Sequence, residues 1–96
     1  MLKLVAAAIG SASIAAAVVA SAEPPAGAAA CSGCHPASAR VTSPVPRLAG
    51  RDRAEIVRAM QDFRSGQRAA TVMDRIAKGF TDAEIQAIAA WYATQR

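Results

Sequence analysis

Both cysteines and the only histidine of this chain fall within five consecutive residues, Cys31-Ser32-Gly33-Cys34-His35. No other feature restricts fold and chemistry as much, because two thiols and an imidazole at that spacing suit few groups. A structural zinc site needs four ligands, and two cysteines with one histidine leave an intrachain tetrahedral site one short. His35, directly after Cys34, is also poorly placed to turn back on a metal its neighbour holds. A thioredoxin-type redox pair belongs in an α/β setting, yet no stretch alternates apolar and polar residues long enough to make a strand. A Cys31–Cys34 disulfide would close a loop too short to restrain the unfolded chain much. C-x-x-C-H as a c-type haem attachment sequence fits better. On a helical turn, residues three apart share a face, so Cys31 and Cys34 can each form a thioether to one haem while His35 turns its ring to the iron.

The chain divides in two ahead of this motif. Lys3 is followed by an apolar stretch from Leu4 to Val19, then by Ala20-Ser21-Ala22 and Glu23-Pro24-Pro25. A basic start, an apolar middle and small residues before a break predict a secretory signal over residues 1–22, cleaved near Ala22. Gly10, Ser11 and Ser13 interrupt the apolar run, which is short beside the roughly 20 residues a spanning helix needs. No stable membrane insertion is therefore expected after cleavage. The mature chain, residues 23–96, is about 74 residues and one domain. It has few large apolar side chains, and domains of that size bury barely enough to offset chain entropy. A covalently held haem would supply the missing apolar bulk. The formal net charge of +4 includes Lys3; the excess is too small and scattered to argue for nucleic acid.

Helical signals fill the rest. Ala28–Ala30 running into the CSGCH motif predicts about two turns, ending at or before His35 because Pro36 disfavours helix in its predecessor. The segment from Pro36 to Gly50 holds three prolines without a sustained period and reads as an ordered loop. Asp52 with Glu55 opens a helix whose Ile56, Met60 and Phe63 share a face and which ends near Gly66. A short helix is expected around Asp74–Lys78, closed by Gly79. Thr81 with Glu84 starts the last helix, with Ile85, Ile88, Ala89 and Tyr92 on one stripe. The fold class is all-α, with about four helices.

A haem iron held by His35 needs a sixth ligand or an open position, and with one histidine in the chain, bis-histidine ligation is excluded. Met60 sits on the Ile56 and Phe63 stripe, where a methionine serves as core filling. Met73 follows the irregular approach Gln67 to Val72, where a loop can present sulfur to a metal. Met73 is the expected ligand, with a packing role as its alternative. Thioether opposite imidazole raises the reduction potential and fills the coordination sphere, which suits electron transfer over oxygen chemistry.

Together the CSGCH motif, Pro46-Arg47-Leu48-Ala49-Gly50, the helix end Met60-Gln61-Asp62-Phe63-Arg64-Ser65-Gly66 and the stretch from Ala70 to Gln95 resemble a class I cytochrome c. The nearest likeness is to the haem domain of the cytochrome subunits of flavocytochrome c sulfide dehydrogenases, and it covers essentially all of residues 23–96. The resemblance implies a small fold in which the first and last helices cross beside the haem, with Trp91 or Tyr92 at the crossing. It implies His35 and Met73 as axial ligands, and Pro46 as the residue whose carbonyl accepts the histidine's other ring N–H. Such an acceptor fixes the ring's tautomer and makes it a better ligand. Two departures stand out. Pro36 occupies a position where glycine is common in that group, and the chain holds one CxxCH where some relatives carry two haem domains.

The functional expectation is a periplasmic monohaem cytochrome c that accepts electrons from a flavoprotein subunit oxidising sulfide and passes them to another cytochrome, with no bond chemistry in this chain. The alternatives are a free soluble carrier with another donor, or an open-iron haem peroxidase or sensor if Met73 leaves the iron. Arg47, Arg51, Arg53, Arg58, Arg64, Arg68 and Arg75 read mainly as a solvated face, with one or two available for haem propionates or for steering a partner.

Overall fold

The computed structural model describes residues 2–15 and 23–96. The expected cleavage site at Ala20-Ser21-Ala22 lies outside the described residues. Residues 2–15 form no helix and are exposed, Leu2, Leu4, Val5, Ile9 and Ile14 included. Among the described residues there are four helices and no strands: α1 (Ala28–Cys31), α2 (Arg53–Ser65), α3 (Met73–Ala77) and α4 (Asp82–Thr94). The fold is all-α, as expected.

The two long helices begin and end where local chemistry dictates. The Asp52 side chain accepts from the Glu55 amide at the head of α2, and Gly66 closes that helix in the left-handed region at φ 82°. At α4 the capping box is complete, with Thr81 Oγ1 accepting from the Glu84 amide and Glu84 accepting from the Thr81 amide. The box at α2 is only half made, because the Glu55 carboxylate pairs with Arg51 instead, 2.9 Å away.

The first helix is shorter than the two turns expected. Regular α-helix ends at Cys31, and the motif continues as a tightened turn in which Gly33 donates to Ala30 and Cys34 to Cys31, before His35 returns to the Cys31 carbonyl at 2.9 Å. Gly33 weakens a helix from within and Pro36 forbids its continuation, so the end winds into three-residue hydrogen bonds.

α1 is held by what it touches. Ala28 is fully buried against α4, and the Tyr92 hydroxyl donates to its carbonyl at 2.6 Å across 64 residues of sequence. Gly27, at φ 87°, lets the chain enter beneath Phe80, where an added Cβ would lie 2.5 Å from that ring. Ile56 and Val57 of α2 meet Ile85, Ile88, Ala89 and Tyr92 of α4 in one core, with Cys31, Leu48, Met60, Phe80 and Trp91 half-buried on it. Arg64 fastens the outside of the bundle by donating to the Phe80 carbonyl and pairing with Asp82.

Candidate haem site

The site is built on the turn that α1 becomes. Cys31 is half-buried, its Sγ donating to the Gly27 carbonyl at 3.7 Å, while Cys34 is exposed; both are free thiols. Burial pushes the Cys31 thiol up, and burial followed by the neighbouring Cys31 pushes the Tyr92 phenol up. The motif thus sits directly on the contact between the first helix and the last, with Trp91 and Tyr92 beside it; their rings meet edge to face with centroids 4.9 Å apart.

Eleven residues beyond His35, the loop returns to it. His35 Nδ1 lies 2.5 Å from the Pro46 carbonyl oxygen. A carbonyl only accepts, so Nδ1 carries the proton and Nε2 keeps its lone pair for a metal. Leu48, two residues on, packs against the core. A hollow of about 270 Å³ opens beside the motif between His35, Pro36, Leu48, Trp91 and Gln95.

The two methionines are placed differently. Met60 packs against the core cluster from α2, whereas Met73 is half-buried at the first position of α3 and is not among the side chains packed on that cluster. Met73 therefore belongs to a helix start and not to the loop before it, as its approach had suggested. Next to it, Asp74 Oδ1 is buried without a hydrogen-bond partner. His35 and Pro46 are brought into direct contact; Met73 is placed half-buried at the head of α3.

Haem c fits this donor set on the structure's own terms. The two thiols are unpaired, the histidine offers Nε2 in a fixed tautomer, and no group of three or more His, Cys, Asp or Glu suited to a bare metal ion occurs among the described residues. The core is also thin: among the described residues Ile85 is the one large side chain that is fully buried, and Met60, Phe80 and Trp91 are only half-buried. A broad apolar group at the motif would cover surface that this chain cannot cover itself.

Sequence reasoning missed what the arginines do. Arg47 donates to the Ala37 carbonyl at 2.9 Å, Arg51 donates to the Arg47 carbonyl at 2.8 Å, Arg53 to Gln86, and Arg68 lies over the Phe63 ring. Arg58 and Arg75 are exposed. The one available signal was position, since Arg47 directly follows the proline that meets His35.

The all-α fold is that of a small cytochrome c. Comparison with known proteins agrees: the cytochrome subunit of sulfide dehydrogenase from Chlorobaculum tepidum is 40% identical over 62 residues, covering 65% of this chain and 56% of that protein. Cytochrome c-552 of Acidithiobacillus ferridurans is 35% identical over 65 residues, 68% of this chain and 28% of its own length. A thiosulfate dehydrogenase electron acceptor of Stutzerimonas stutzeri is 42% identical over 63 residues, 64% of this chain and 29% of its own. The chain thus spans little more than half the length of the first relative and less than a third of the other two. No protein-family model matches it. The protein is a cytochrome c related to the cytochrome subunit of sulfide dehydrogenase. Its relatives imply haem c as the cofactor.

Proposed function

We propose that this protein is a periplasmic electron carrier in which residues 1–22 direct export and residues 23–96 form a cytochrome c domain holding one haem through Cys31 and Cys34. The observation that carries this reading is the contact of His35 Nδ1 with the Pro46 carbonyl, which leaves Nε2 as a ligand in a fixed orientation. His35 and Met73 would hold the haem iron, through one nitrogen and one thioether sulfur, a donor pair that would favour the reduced state and suit electron transfer over oxygen chemistry. The bound haem supplies a one-electron couple. The chain's own residues do the rest: Cys31 at the end of α1 and Cys34 in the turn after it would fix the group, Pro46 sets the histidine's tautomer and strengthens it as a ligand, and Leu48 and Trp91 give the hollow beside His35 apolar lining.

The donor is a flavoprotein subunit that oxidises sulfide, and the acceptor is a second cytochrome. Support comes from the name of the Chlorobaculum relative and from a surface with exposed Arg40, Arg58, Arg75 and Lys78, suited to an acidic partner. Among the described residues no helix is long and apolar enough to cross a membrane. Rapid mixing of the oxidised protein with a reduced sulfide-oxidising flavoprotein tests the assignment. Reduction with a rate constant that falls steeply as salt is added is the expected result. Failure of that flavoprotein to reduce a protein that other donors reduce readily would reassign it as a carrier with a different donor.

A further inference from the structure

We propose that Arg47 is a positioning residue for the histidine ligand: its guanidinium, carried on a main chain that Arg51 ties to α2, closes the neck of the loop from Pro36 to Pro46 and keeps the Pro46 carbonyl on His35 Nδ1. The inference rests on the proposed role of His35 as an iron ligand.

The loop is the part of the site with least to hold it. It has no helix, and its other hydrogen bonds are local: the Arg40 amide to Ser38 Oγ, the Val41 amide to the Ser38 carbonyl and the Val45 amide to Ser43 Oγ. Two bonds cross its neck, His35 Nδ1 to the Pro46 carbonyl and Arg47 Nε to the Ala37 carbonyl, the second 2.9 Å long. A single crossing bond would act as a hinge, free to swing the carbonyl out of line, and hydrogen bonds weaken steeply with angle. A second crossing beside the first fixes direction as well as distance, and its donor is a permanently charged group.

Arg47 is itself held. Arg51 Nε donates to the Arg47 carbonyl at 2.8 Å, and the same guanidinium bonds Glu55 in the first turn of α2 at 2.9 Å. The Gly50 amide donates to the Tyr92 carbonyl of α4 at 3.0 Å. The neck is thereby referred to both long helices, and an arginine expected on the solvated face is half-buried in a bracing role.

The test uses the full exported chain with its haem, comparing the parent with Arg47→Leu, Arg47→Lys and Arg51→Leu. Two quantities are read: solvent-deuterium exchange of the His35 Nδ1 proton by NMR of the reduced protein, and the reduction potential. Loss of the charge-assisted bond in Arg47→Leu should accelerate exchange about tenfold or more. It should also raise the potential, because a histidine less firmly bonded at Nδ1 is a weaker donor to oxidised iron. Arg47→Lys, which keeps a cationic donor, should recover most of both. Unchanged exchange and potential in Arg47→Leu would overturn the proposal even if stability falls, since that pattern marks a structural role only. If Arg47→Leu does not accumulate as a haem protein, Arg51→Leu decides instead: a smaller shift in the same directions supports the clamp, and no shift overturns it. Failure of the underlying reading is visible separately, in the parent, as absence of haem or of histidine-bound low-spin iron, and would overturn the clamp with it.

Discussion

His35 owes its orientation to a carbonyl oxygen eleven residues away, and of the two methionines in helices α2 and α3 it is Met60 that packs on the core. The first relation was legible in sequence only through resemblance, because the spacing from CSGCH to Pro46 says nothing by itself about where a proline-rich loop returns. The packing role of Met60 was legible from periodicity: it lies on the Ile56 stripe and packs on the core, whereas Met73 stands at the head of α3. Their substitutions should separate accordingly. Met73→Ala should abolish the thioether-to-iron charge-transfer band of the oxidised protein while leaving haem attached, whereas Met60→Ala should keep the band and cost about 2 kcal/mol of stability, the lower end for a methionine that is only partly buried. Absorption spectra and denaturant titrations read both effects. The bracing by Arg47 was not legible, since its acceptor is a main-chain carbonyl in an irregular loop and no side-chain pattern announces such a partner.

Helix starts were read well from sequence because a cap is a matter of residues three apart. The box at α4 is complete, and the structure gives it a pH dependence. Glu84 is held below the ordinary carboxylate range by its hydrogen bonds with Thr81, first the main-chain amide and then the side chain. A carboxyl depressed in the folded state contributes stability above its unfolded pKa and loses it as pH falls through the folded value. Glu84→Ala should therefore lower stability at neutral pH, with the difference from the parent shrinking in acid; denaturation midpoints across that range check it. Thr81→Ala should cost about 1 kcal/mol, the usual loss for an N-cap. α1 ends before His35, as Pro36 implied, but falls short of two turns because two helix breakers, Gly33 and Pro36, act within four residues. What fixes that short helix is tertiary: the Tyr92 hydroxyl on the Ala28 carbonyl. Tyr92→Phe leaves this buried acceptor unpaired and should cost about 1–3 kcal/mol, measured as a shift in unfolding midpoint.

At the scale of the molecule, the all-α class and the four helices followed from apolar stripes and caps, but their packing beside the motif did not, because a thin core of alanines and isoleucines leaves many arrangements open until a large group fills the gap. Of the large side chains, only Ile85 is fully enclosed among the described residues. The fold is accordingly expected to depend on its cofactor, as small domains depend on staples. The most direct test is the intact mass of the protein exported into a periplasm with haem-attachment machinery, taken together with its oxidised and reduced absorption spectra. The account predicts a chain beginning near Glu23, heavier by one haem, with low-spin bands and a methionine charge-transfer feature. A chain of unmodified mass, or a haem protein with high-spin iron, would contradict it.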